Sequence, residues 1–267
     1  MTSRAKPVAG VMIMNKIDVL GNSLRSMIQE RGILARCELL QRIYEAVRDA
    51  DLDSAERAEL EKLVGSRLAP GVFGNILSGS PIFPDFPKLD SFMQIQGRIF
   101  HFARSGNYDK EEFQKAYSDF IESKEELRAL LKENLADLVT EFLENAGYRL
   151  VKRDSGGLWF SSEDGRKLNV LVYPQIGRVV LEECLECGGE HPEACVVVVP
   201  HEEGLPPFVK FYGDCADSFE GAGIQVWVAN MEEGSIDPFI GFTTDMDIYG
   251  QFKNPKLAAI VRSTWKK

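Results

Sequence analysis

The chain has 267 residues, 44% hydrophobic and 27% charged, with a formal net charge of −10. That length suits one large domain or two ordinary ones, the apolar content suffices for a core in each half, and no apolar run reaches the roughly 18–20 residues of a membrane span. Five cysteines, an odd number, argue against a secreted disulfide framework and for a reducing compartment, read as the cytoplasm.

Residues 1–16 hold three basic residues and a brief apolar stretch interrupted by Gly10, and are read as a disordered lead-in rather than a secretory leader. From Ile17 to about Gly147 the apolar spacing is helical. Cys37, Leu39, Leu40, Ile43, Tyr44 and Val47 step by threes and fours along one stripe. Asp53 or Ser54 then caps a second helix. Asp49, Asp51 and Asp53 have the first spacings of a calcium loop, but Leu60 stands where a bidentate Glu is needed, so a capped connection is expected.

Pro70–Pro87 reads as a linker or packed irregular loop, with four prolines and three glycines. Helices are predicted over Phe92–Ser105 and Lys110–Glu122, the second capped by Asp109. Ser123 and Glu126 read as a capping box opening a further helix towards Asn145. His101, between Phe100 and Phe102, reads as a packed core histidine. The expected helical domain covers residues 17–132, shows no catalytic constellation, and suits interaction or oligomerisation.

In the C-terminal domain, residues 133–267, Leu135, Leu138, Val139, Phe142 and Leu143 make a helix with a strong apolar face. Three strands follow, Tyr148–Arg153, Leu158–Ser161 and Leu168–Tyr173, with Ser155-Gly156-Gly157 and Asp164-Gly165 as hairpin turns. A helix near Arg178–Glu186 leads to the apolar strand Cys195–Val199, then a helix near Pro207–Phe219 and the strand Ile224–Ala229. The expected class is α+β overall: an all-helical N-terminal domain, then a mixed-sheet α/β domain in helix-β-β-β-helix-β-helix-β order. In the closing tail, Asp237, Asp245 and Asp247 suit turns and caps. Phe239, Phe242 and Tyr249 would form a surface patch if a final helix near Lys253–Arg262 left them uncovered.

Residues 1–132 hold 19 of the 31 basic and 19 of the 41 acidic residues, so the remainder carries the whole of the −10. Phosphate backbones are bound largely by Lys and Arg displacing counterions. Direct nucleic-acid binding by the acidic half is therefore disfavoured, and a basic protein partner is favoured at long range. An acidic surface kept for solubility alone is the plainer alternative.

The element order, with the helix ending Glu141-Phe-Leu-Glu-Asn-Ala-Gly147-Tyr148, resembles the PD-(D/E)XK or restriction-endonuclease-like superfamily, especially its Holliday-junction-resolvase branch. The resemblance covers roughly Asn134–Ala229. It implies an Asp at the start of the second strand and a Glu-x-Lys on the third, holding a divalent metal for phosphodiester cleavage. Here the second strand reads Gly157-Leu-Trp-Phe-Ser161 and the third Leu168-Asn-Val-Leu-Val-Tyr173, without those residues. The expectation is a non-catalytic interaction or regulatory protein on a nuclease-like scaffold, docking a protein partner in nucleic-acid processing or transcription. The alternative is a metal-dependent DNA nuclease with a displaced site made from Glu141, Asp154, Asp164 and Lys167.

Cys184, Cys187, His191 and Cys195 are the ligand types of a tetrahedral structural zinc site, with Gly188 and Gly189 between them. The competing reading has no cofactor, Cys195 packing as a small hydrophobe and His191 lying exposed. Both stay open from the sequence.

Overall fold

A computed structural model describes residues 9–78, 90–95, 98–104, 106–154, 157–190, 194–201 and 204–266. The chain divides into two compact units, Met1–Leu127 and Arg128–Lys267. The class is as expected, a helical N-terminal region followed by a sheet-rich C-terminal one. Among the described residues no helix is long and apolar enough to cross a membrane.

In the first unit, α1 (Ala9–Arg31) begins inside the segment expected to be a disordered lead-in. A short strand β1 (Ile33–Ala35) leads into α2 (Arg36–Asp49), whose buried Leu39, Leu40 and Ile43 follow the predicted stripe. Asp53 caps α3 (Ser54–Val64), accepting from Ala55 and Glu56 amides, while the Glu56 side chain accepts from the Asp53 amide. Asp53 is thus spent as a cap. Glu38 on α2 is a buried acid, with Arg31 at 3.3 Å.

Two segments depart from the expected elements. Leu68–Ser78 is a helix, α4, where a linker was expected from Pro70 onward. Pro70 sits in its first turn, where a missing N–H costs no helical bond. Phe92–Ser105, expected to be a helix, instead falls largely on two antiparallel strands, β2 (Asp90–Ile95) and β3 (Arg98–Arg104). With β1 they form a three-stranded sheet in the order β1-β3-β2. Met93, Ile95, Phe100 and Phe102 share one face and pack with Phe113, Ala116 and Tyr117 of α5 (Lys110–Glu122). His101 is exposed, not core, and its ring lies 6.4 Å from that of Phe92 across the hairpin. Residues 79–87, the rest of the expected linker, lie outside the described residues.

Helix α6 (Lys124–Asn145) runs without a break. Ser123 does not cap it; its hydroxyl donates back to the carbonyls of Asp119 and Phe120 in α5.

The second unit holds a six-stranded sheet in chain order: β4 (Tyr148–Asp154), β5 (Gly157–Ser162), β6 (Lys167–Val172), β7 (Cys195–Pro200), β8 (Gln225–Asn230) and β9 (Ser235–Ile240). The first three form an antiparallel meander; β6, β7 and β8 are parallel, and β9 returns antiparallel. Two crossovers stepping the same way along a sheet place their helices on one face, because such connections are right-handed. Those helices are α7 (Leu181–Glu190) and α8 (Leu205–Gly221). Cys184, Phe208, Tyr212 and Phe219 from this layer pack on Val197, Val199 and Val226, and Val261 of α10 (Leu257–Trp265) joins them.

Trp227 faces the other way, edge-on to Phe142 of α6 at 5.7 Å and to Phe252 at 5.2 Å. The aromatic tail residues divide: Phe239 is buried against Phe208, Tyr212 and Trp265, whereas Phe242 is exposed.

The outer strand β4 is mostly exposed and carries Arg149, Lys152 and Arg153. Its pairing with β5 slips between Leu150 and Lys152, leaving Val151 as an extra, exposed residue.

Candidate functional site

The residues expected to form a displaced metal site fall on separate parts of the second unit. Glu141 lies on α6, beside the apolar face made by Leu138, Val139 and Phe142. Asp154 ends β4 opposite Gly157 and pairs with Lys152. Asp164 lies in the turn after Ser162, and Lys167, exposed, opens β6. Asp154 and Asp164 therefore stand at opposite ends of β5, a strand spanning about 17 Å at 3.3 Å per residue. The structure does not bring them together. The strand bodies between them bury Leu158, Phe160, Leu168 and Val170. Among the described residues no three His, Cys, Asp or Glu side chains gather to hold a metal ion.

Asn169 is a buried polar residue of β6, in register with Trp159 and Cys195 on its two neighbours. Gly157 is moulded to it. With φ at +132°, a Cβ there would lie 2.8 Å from Asn169 Oδ1 and 2.8 Å from the Val170 carbonyl. The start of β5, where the resembled family sets a carboxylate, leaves no room for even a methyl group. The residues present do not fit the metal site of that family.

Of the candidate zinc ligands, Cys184 and Cys195 are buried in one core cluster. The Tyr173 hydroxyl lies 3.8 Å from Cys184 Sγ and 2.9 Å from Glu183 Oε2. The side chain of Cys187, and His191, lie outside the described residues.

A dense polar arrangement among the described residues of the second unit centres on Arg166, which the sequence reading missed. Its Nε donates to Asp164 at 2.9 Å, one terminal nitrogen to Asp245, and the other to Asp247 at 2.9 Å. Its guanidinium also lies over the Tyr148 ring, 5.4 Å from the centroid. Tyr148 donates its hydroxyl to Asp245 Oδ2 at 2.6 Å. Asp245 Oδ1 accepts the amides of Asp247 and Ile248 and so caps α9 (Met246–Gln251). Asp245 thus has the cap role expected of it, with a long-range pairing added, whereas Asp247 lies in the first turn of α9 and pairs with Arg166, and Asp237, also expected in a turn or cap, lies in strand β9.

The electrostatics follow from the contacts. Hydrogen bonds from Arg166 and the Ser162 hydroxyl hold the Asp164 carboxyl down at about 2. Burial pushes Asp245 up, but donation from Tyr148, the two α9 amides and Arg166 outweighs it, leaving the group below its ordinary value. Burial, with the hydroxyl tied to Asp245, pushes Tyr148 well above the usual phenol range. The Tyr148 phenol stays protonated and the Asp164 and Asp245 carboxylates ionised, so none of these three is poised to exchange a proton near neutrality. Arg166 is committed to three carboxylates instead of being offered to a phosphate.

The fold is that of an open mixed α/β sheet with helices on both faces. Within it, residues 162–254 match the family described as the C-terminal domain of DUF6834, a domain of unknown function. The matched segment includes Asp164, Arg166, Asp245 and Asp247, while Tyr148 lies before it. The chain has no match among curated proteins.

Proposed function

We propose that the chain is a non-catalytic interaction protein whose second unit uses a nuclease-like scaffold to dock a basic protein partner in nucleic-acid processing or transcription. The observation that carries this reading is the placement of Asp154 and Asp164 at opposite ends of β5, with apolar strand bodies between them. Phosphodiester cleavage by a metal needs carboxylates converging on one ion, and these diverge. The helix-β-β-β-helix-β-helix-β order supports the scaffold assignment, and the excess of acid in residues 133–267 supports a basic partner over nucleic acid.

The test has two arms run on the full chain. Purified protein is incubated with linear and four-way-junction DNA in Mg²⁺ or Mn²⁺; the expected result is no cleavage beyond that of a Glu141→Ala/Asp164→Ala double variant. Cross-linking in its native host then returns a protein carrying excess Lys and Arg at the linked sites. Metal-dependent cleavage lost in the double variant would replace this reading with the nuclease.

A further inference from the structure

The connection from β9 to α9 and the first residue of that helix carry large apolar side chains in the open: Phe242 is 50% exposed and Met246 73%. Met246 stands among acidic residues. Asp247 follows Met246 directly, and Arg166 ties Asp164 beside it; these carboxylate side chains are 62% and 60% exposed. Three Asp against one Arg leave the cluster with a charge of −2.

The backbone beneath is fixed. The Asp245 amide donates to Thr243 Oγ1 at 3.1 Å, and the Asp245 side chain is held from three directions by Tyr148, Arg166 and the α9 amides. Exposed apolar side chains on a braced backbone bind with little loss of chain freedom, and that is how an interface anchor differs from a loose loop.

We propose that Phe242 and Met246, flanked by Asp164 and Asp247, are the docking surface for a basic partner segment in which apolar side chains are bracketed by Lys or Arg. The inference rests on the interaction reading above and gives that reading its surface. Charge complementarity selects the occupant: the carboxylates repel acidic chains, and the apolar pair demands more than a polycation.

The experiment uses the full chain and a short fluorescent peptide with leucines bracketed by lysine and arginine. Two control peptides accompany it, one with glycine for leucine and one with glutamate for the basic residues. Anisotropy is read at about 50 mM and about 300 mM NaCl. The expected result is binding of the first peptide alone, weakened about tenfold or more by Phe242→Ser/Met246→Ser. Asp164→Asn/Asp247→Asn weakens it several-fold at low salt and flattens its salt dependence.

A Glu232→Gln/Asp214→Asn variant removes the same charge elsewhere, Glu232 lying past the far ends of β8 and β9, and leaves binding unchanged. Failure of the unmutated chain to bind, indifference to Phe242→Ser/Met246→Ser, or equal weakening by the distant pair overturns this surface. So does a concentration-dependent dimer in sedimentation that Phe242→Ser/Met246→Ser abolishes, since the occupant is then a second copy. None of these results touches the DNA-cleavage arm, which decides the interaction reading separately.

Discussion

Tyr148 and Asp245, 97 residues apart, share a hydrogen bond of 2.6 Å that joins the first strand of the sheet to the helix cap of the C-terminal tail. The tyrosine is buried and its acceptor ionised, the setting in which a single hydroxyl matters most. Tyr148→Phe is expected to lower unfolding free energy by about 1–2 kcal/mol, read from urea midpoints, with the ring packing intact. An unchanged midpoint would mean that Arg166 and the α9 amides suffice to secure Asp245.

Acid should act on the same contact. The folded state holds Asp245 below its ordinary value, so its stabilisation is complete above the unfolded value near pH 4 and is lost as pH falls through the folded one. The unmutated chain should therefore lose urea resistance between about pH 5 and pH 2 more steeply than Asp245→Asn. Parallel profiles would show that the hydrogen bonds do not discriminate between the ionised and protonated forms.

Glu38 has the opposite sign. Burial raises its carboxyl above the ordinary range, with Arg31 and Arg42 offsetting part of the effect. The ionised form is disfavoured on folding, so the cost is absent below the unfolded value and grows as pH rises through the folded one. Relative to the unmutated chain, Glu38→Gln should gain urea resistance from about pH 4 to pH 7. A relative loss over that window would mean that pairing with Arg31 outweighs burial.

Gly157 offers a steric prediction. Its φ of +132° is one that L side chains rarely adopt, and a Cβ would press on Asn169 and the Val170 carbonyl. Gly157→Ala should cost about 2–3 kcal/mol, and Gly157→Asp at least as much. Either variant retaining its parent's urea midpoint would show that β5 can shift to accept a carboxylate where the resembled family has one.

The second unit was legible because each element announces itself locally. Asp164-Gly165 marks a turn, Cys195–Val199 is an unbroken apolar run, and Gly147 ends α6, so the order of elements follows from the residues. The β2–β3 hairpin was not legible, for a physical reason. Met93, Ile95, Phe100 and Phe102 alternate correctly for a strand, but Phe92 and Ile99 fill the opposite, exposed face. Apolar residues on both faces hide a period of two. Strand β9 was missed because Pro238 and Asp237 read as a turn, although proline is tolerated on an outer strand. Arg166 could not have been singled out, since its partners Asp245 and Asp247 lie about 80 residues away and only the folded unit brings them together.

The slipped register at Val151 also bears on how this protein can be approached. An outer strand that is straight and apolar is a template on which another chain can crystallise its own backbone, ending in fibrils or swapped oligomers. Here the extra residue throws the outward amides and carbonyls out of step just where Lys152 and Arg153 crowd the margin. Such an edge disfavours growth of the sheet by templated addition at β4.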